Sequence, residues 1–98
     1  MKTTNAKIYA ARLALAKLAN TDAPMPLISE LAPLLDACDP IIEEGRKIEV
    51  NDADGKKMEA FGLRPVILPD VSVPMFPGFA VSYLDFRALR EIAKIGEV

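Results

Sequence analysis

The sequence predicts a mainly helical α+β domain, and three observations lead to that prediction. Residues 26–50 carry apolar side chains at intervals of three and four, and residues 5–19 do the same with many alanines. Residues 65–77 instead combine β-branched side chains with four prolines. The 98 residues (1–98) form one domain: an antiparallel helical hairpin with a kinked or broken second helix, a small β-hairpin and a C-terminal amphipathic helix.

The first helix is predicted to begin at Thr4 or Asn5, either of which can act as an N-cap, and to run to about Ala19. Its apolar face is formed by Ile8, Ala11, Leu15 and Leu18. Residues 20–25 are a loop, because Asn20 is a good C-terminal stop and Pro24 disfavours a helical residue before it. A loop this short between two helices favours an antiparallel hairpin.

The second helical segment, residues 26–50, carries two apolar rows. The first row consists of Leu27, Leu31, Leu34, Cys38, Ile41 and Ile48, with Gly45 on the one rung that lacks a side chain. The second row lies beside it at intervals of seven and consists of Ile28, Leu35 and Ile42. A stripe this wide is typical of a helix that faces the core.

Two prolines, Pro33 and Pro40, interrupt this pattern. Each removes a backbone donor and would normally kink or end a helix. Asp39 can act as an N-cap with Pro40 in the first helical position. Two interpretations therefore stay open: one kinked helix, or two helices over about 27–37 and 40–50.

Charge is segregated between the two arms of the hairpin. Residues 1–20 contain four basic side chains and no acidic one, whereas residues 21–44 contain six acidic side chains and no basic one. We interpret them as complementary flanks of one hairpin, each exposed pair contributing about 0–1 kcal/mol. The functional alternative is a basic helix for DNA or lipid and an acidic helix that mimics DNA.

Residues 51–55 (Asn-Asp-Ala-Asp-Gly) are the strongest turn signal in the chain. They resemble part of a calcium loop, but alignment on Gly55 puts Val50 and Phe61 at two positions that require carboxylate ligands. We therefore expect a solvated turn, followed by a short strand or helix at about residues 56–61.

Beyond Gly62 the segments around Val66 and Val73 flank Pro69-Asp70, which suggests a β-hairpin. Residues 74–79 form an apolar loop. The last element begins at Ser82, with Asp85 three residues later in an imperfect capping box, and should be a helix of about twelve residues ending before Gly96.

The candidate partner-binding surface is the loop and the strand before it, because this region concentrates apolar side chains around a single charge. Its residues are Val71, Val73, Met75, Phe76 and Phe79. Methionine and phenylalanine on a proline-stiffened loop suit contacts with another protein. The competing interpretation is a loop that folds back to close a small core.

The composition argues against most other functions. The chain has no histidine, a single cysteine and a net charge of −2, so we expect no catalytic, metal or cofactor site and no enzyme. Cys38 lies on the apolar stripe and should be a buried hydrophobe. The weakly charged run 65–84 contains four prolines, which speaks against a membrane span. A single cysteine cannot form an internal disulfide, which favours a reducing, cytoplasmic setting in a host cell.

As a whole, the layout resembles small proteins encoded by tailed bacteriophages and prophages. The resemblance rests on residues 15–18, 25–27, 42–47, 51–55 and 84–98, and the chain departs from it at Pro33, Pro40 and the proline-rich segment 65–77. It implies a phage or prophage source and action through protein contacts.

Three function hypotheses follow. The first is a non-catalytic accessory protein that binds or inhibits a host enzyme or factor, or contacts another phage protein. The second is a virion or assembly component that self-associates, for example as a homodimer, through its helices. The third is a nucleic-acid binder or DNA mimic, which the low net charge disfavours.

Overall fold

The computed structural model describes residues 1–74 and 81–95. The elements in chain order are β1 (Lys2–Thr4), α1 (Asn5–Ala10), α2 (Arg12–Ala19), α3 (Met25–Asn51), α4 (Lys56–Leu63), β2 (Pro65–Ile67), β3 (Ser72–Val73), α5 (Tyr83–Arg90) and β4 (Lys94–Ile95). The predicted mainly helical α+β class is confirmed.

Helix α3 sets the dimensions of the molecule. Its 27 residues span about 40 Å at 1.5 Å per residue, close to the 42 Å long axis of a body 22 Å wide. The helix runs through Pro33 and Pro40 without a break, so the two-helix alternative is wrong. Both prolines are exposed, while the fully buried Leu34 and Cys38 between them hold the helix against the core.

The first apolar row of α3 is the centre of the core, as the periodicity predicts. Leu27, Leu31, Leu34 and Cys38 are all buried, and Ile41 is partly buried against them. They pack with side chains from α1, α2, the strand region and the last helix: Ile8, Leu15, Leu18, Leu68, Val73, Leu89 and Ile92.

The predicted first helix is divided at Ala11. The Ala11 N–H is shared between the carbonyls of Lys7 and Ile8, at 3.2 and 3.1 Å, which is the tightened geometry of a local 3₁₀ turn. Ala11 is completely buried, so the change of direction occurs where the chain has no bulky side chain. As a result α1 packs on α3 and α4, whereas α2 packs on α5.

Two neighbouring helices approach α3 closely at Gly45. A Cβ atom there would be 2.6 Å from Cδ1 of Tyr9 and 3.1 Å from Cε1 of Phe61. These two rings meet edge to face, with centroids 6.3 Å apart and planes at 89°. The missing rung of the first row is therefore the place where α1 and α4 insert aromatic rings against α3.

The predicted β-hairpin is wrong, because its two strands pair with other segments. Strand β2 pairs antiparallel with β1, whereas β3 pairs in parallel with β4. Pro69 and Asp70 are exposed, as expected of a turn, but Leu68 and Val71 on either side of them are buried in the core.

The expected ion pairing between the two arms of the hairpin is also wrong. Lys7 pairs with Glu91 at 3.3 Å and Lys17 with Asp85 at 2.5 Å, so both lysines face the C-terminal region instead of α3. The hydrogen bond from Lys17 lowers the pKa of Asp85 below its ordinary value. Lys17 of α2 is therefore neutralised by Asp85 of α5.

The remaining predictions concern turns and ends. The turn after α3 contains Gly55 in the left-handed region at φ +77°, and α4 follows as a helix, not a strand. Asp52 caps that helix by accepting a hydrogen bond from the Met58 N–H at 2.8 Å, which lowers the pKa of Asp52. Ser82 caps α5 as predicted, but the helix ends at Arg90, short of Gly96, because the chain turns into β4.

We expect Gly45→Ala to lower the free energy of unfolding by about 1–3 kcal/mol, since the new methyl group overpacks the Tyr9 and Phe61 rings. Urea unfolding followed by circular dichroism measures this. The matched control is Ser29→Ala on the exposed face of α3, which should stabilise the helix by a few tenths of a kcal/mol, roughly the propensity difference. A Gly45→Ala protein as stable as the wild type would contradict the ring packing.

Candidate functional site

A groove runs between α2 and α3 on the side of the molecule away from α5. It consists of a cavity of about 500 Å³ and a second one of about 180 Å³, which share Ala19, Leu35 and Asp36 and so form one continuous groove. Arg12 and Arg46 both line the larger cavity at one end of the groove, and Leu18 and Ile28 both line the smaller cavity at the other end.

The floor of the groove is apolar and includes the whole second row of α3. Ile28 is 42 % exposed, Leu35 is partly buried and Ile42 is 7 % exposed. On the α2 side the groove is bordered by Ala16 and Ala19, whose small side chains leave room above the row. The second row is therefore only partly covered by the chain itself.

The side of α2 that pairs with α5 faces away from the groove. Lys17, which pairs with Asp85, and Ala19 are two residues apart, which puts them about 160° apart around the helix. The core side of α2 is occupied by Ala14, Leu15 and Leu18.

Charged side chains form the rim. Asp36, Asp39 and Glu43 lie along α3, and Arg12 and Arg46 lie at one end of the groove. Glu43 accepts a hydrogen bond from Arg46 at 2.9 Å, whereas Asp36 and Asp39 have no ion-pair partner among residues 1–74 and 81–95. The middle of the groove therefore carries unneutralised negative charge.

The side chain of Arg12 is held by Tyr9, which lies three residues earlier in the chain. Its guanidinium centre lies 4.2 Å from the centroid of the Tyr9 ring, and its Nη1 donates to the Tyr9 carbonyl oxygen at 2.8 Å. The Tyr9 hydroxyl in turn donates to the Glu49 carboxylate, and this hydrogen bond raises the pKa of Tyr9. These contacts fix the position of the arginine at the end of the groove.

The structure revises the surface predicted from the sequence. Val71 and Val73 lie in the core, at 7 % and 1 % exposure, and cannot offer their side chains to a partner in the folded chain. Met75, Phe76 and Phe79 lie outside the described residues. Partner binding through Met75, Phe76 and Phe79 therefore stays a prediction.

The structure brings together groove residues that sequence reasoning did not select. No sequence motif includes Ala16, Ala19, Arg12 or Arg46. The second row of α3 was interpreted only as part of a wide stripe facing the core. Two features of the sequence together could have indicated the groove. One is the second apolar row of α3, and the other is the alanine-rich first helix, since small residues allow close approach of another element.

The described surface also has exposed apolar side chains and depressions outside the groove. The largest exposed apolar side chains outside it are Leu13, Met25, Val50, Leu63, Ile67, Tyr83 and Leu84. A depression of about 320 Å³ beside α5 is lined only by Arg87, Arg90 and Glu91. Another, of about 360 Å³, lies beside Pro33 and Asp70.

Within the described residues, no group of three or more cysteine, aspartate or glutamate side chains is arranged to hold a metal ion. Cys38 is fully buried, and this burial raises the pKa of its thiol to about 11. No helix in the described part of the chain is both long and apolar enough to cross a membrane.

Comparisons with protein-family models, with curated proteins and with solved structures gave no match for this chain.

We expect the buried thiol to make stability depend on alkaline pH. The folded state holds Cys38 protonated, so its contribution is complete below the ordinary thiol pKa near 9 and is lost as the pH rises to about 11. Between these values the wild type should lose up to about 2 kcal/mol more unfolding free energy than Cys38→Ala. Urea unfolding of both proteins measures the difference, and parallel pH profiles would contradict it.

Proposed function

We propose that this chain is a non-catalytic protein that acts by binding another protein in the groove between α2 and α3. The observation that carries the proposal is the second apolar row of α3, which the chain leaves partly uncovered along the groove floor. Apolar surface that is contiguous and rimmed by polar groups is typical of protein-binding sites.

The partner that we propose is a host enzyme or factor in the cytoplasm, which the chain binds or inhibits. Its origin rests on the resemblance of the layout to proteins of tailed bacteriophages and prophages. The groove supports the mode of action, because its apolar floor and charged rim are the two parts of a non-obligate protein interface. A partner from the phage itself would use the same surface.

Self-association through the helices is the second candidate function. The observation that favours it is the spacing of seven between Ile28, Leu35 and Ile42, which is the repeat of a coiled-coil seam. The nucleic-acid hypothesis has less support, since Lys7 and Lys17 pair with acidic residues of the C-terminal region. DNA mimicry would rest on the α3 acids alone.

We expect the double substitution Ala16→Arg and Ala19→Arg to abolish partner capture by filling the groove. Both alanines are exposed, and arginine is a good helix former, so the fold should persist. The measurement is affinity capture from a bacterial host lysate, comparing the bands retained by wild type and variant at matched concentration. Circular dichroism and thermal melting verify that the variant is folded.

The matched control is Ala10→Arg with Ala60→Arg, which introduces the same two charges at exposed helical positions outside the groove. It should retain the wild-type bands. A second comparison, Phe76→Ala with Phe79→Ser, tests the loop predicted from the sequence. Loss of the bands in this loop variant, but not in the groove variant, would overturn the assignment of the site.

A further inference from the structure

We infer that the groove binds an amphipathic α-helix whose apolar stripe is flanked by basic residues. This inference rests on the proposed function and specifies the chemistry of the partner. The shape of the groove, the spacing of its floor residues and the charge on its rim each contribute to it.

The dimensions of the groove suit a helix. From Ile28 to Arg46 the floor extends over 18 residues of α3, about 27 Å, which is the length of roughly five helical turns. Helix α3 forms one side over this length. The eight residues of α2 form the other side over about 12 Å, and Thr21 and Ala23 continue it, so a third helix can lie along α3 with its apolar face inward. Recognition of an amphipathic helix in an apolar groove is a common mode of peptide binding.

The spacing of the floor residues also fits a helical occupant. Ile28, Leu35 and Ile42 recur every seven residues, which matches the repeat of apolar side chains on a second helix packed at a small crossing angle. An extended strand would present a side chain to the same face about every 7 Å. The floor residues lie about 10 Å apart along α3, so the two repeats do not match.

The negative charge on the rim determines which charge the flanks of the partner helix should carry. Asp36 and Asp39 stand on the middle of the α3 rim without an ion-pair partner in the described part of the chain, while Arg12 and Arg46 lie at one end. Asp39 and Arg46 are seven residues, or about 10 Å, apart along the helix. A complementary partner helix therefore carries Lys or Arg opposite the two aspartates.

A second copy of this chain is a poorer occupant. Over residues 28–39, the face of α3 that borders the groove carries Asp36 and Asp39 and no basic residue. Placing that face in the groove of another copy would bring acidic residues against the acidic rim, which is destabilising. The charge pattern thus favours a different protein with a basic amphipathic segment.

The test uses two labelled synthetic peptides of about three heptads, with the same Leu and Ile residues and either Lys or Glu at the flanking positions. Fluorescence anisotropy measures their affinity for the full chain. The Lys peptide should bind about tenfold more tightly than the Glu peptide at low salt, and added NaCl should reduce that difference.

The variant Asp36→Asn with Asp39→Asn should remove most of the difference between the peptides. The matched control, Glu30→Gln with Glu59→Gln, removes two exposed acids that do not line the groove and should preserve the difference. The groove-filling variant Ala16→Arg with Ala19→Arg should bind neither peptide.

Equal binding of the two peptides, or tighter binding of the Glu peptide, would overturn the inference that the partner helix has basic flanks. Failure of both peptides to bind would overturn the inference that the groove binds a helix. Sedimentation of the chain alone completes the test, since a dimer that the groove-filling variant dissociates would make a second copy the occupant. None of these results alters the lysate comparison of the groove-filling variant with its control, which tests the proposed function separately.

Discussion

The close approach at Gly45 is the contact on which the arrangement of the helices depends. Because position 45 lacks a side chain, the Tyr9 ring lies directly on α3, and Phe61 packs edge to face against it. Arginines cover the outer sides of both rings: Arg12 lies over Tyr9, and Arg64 lies over Phe61 while pairing with Glu44 at 2.6 Å. Three helices are thereby joined at one end of the long helix. Further along, Leu15, Leu18 and Leu35 separate α2 from α3, and the space above them is the groove.

The distribution of ion pairs explains why the groove has its charge. Lys7 and Lys17 could have neutralised the acidic side of α3, but they pair with Glu91 and Asp85 instead. Exposed pairs of this kind contribute about 0–1 kcal/mol each, so their main effect is on where charge remains. The α5 side of α2 becomes neutral, whereas Asp36 and Asp39 keep their charge next to the apolar floor. The same two pairs therefore leave negative charge beside the groove, which is the charge that the proposed basic partner would meet.

Periodicity was enough to predict α3 with its core row and the helical character of residues 5–19, because the spacing of an apolar stripe is a local property of sequence. It did not predict the division of the first helix at Ala11, and it left α4 open between strand and helix. Partner choice between distant segments was not predictable in this way. Strand β2 pairs with residues 2–4 and not with β3, and the lysines pair with residues more than sixty positions away. The site shows the same division. The row of Ile28, Leu35 and Ile42 was visible in the sequence, but its hydropathy is the same whether another element covers it or not. The buried Val71 and Val73 were assigned to a surface for the same reason.

The gradient of exposure along the second row follows from helix geometry. Seven residues of a straight α-helix fall about 20° short of two full turns, so a row spaced by seven rotates around the axis. Here the rotation carries the row from the groove toward the core: Ile28 is 42 % exposed, Leu35 is partly buried and Ile42 is 7 % exposed. The apolar floor is therefore most accessible between Ile28 and Leu35, one to two turns from the two unpaired aspartates. The proposed partner helix would gain most of its apolar contact in this part of the groove, and its proposed basic flanks would meet Asp36 and Asp39 at the middle of the groove.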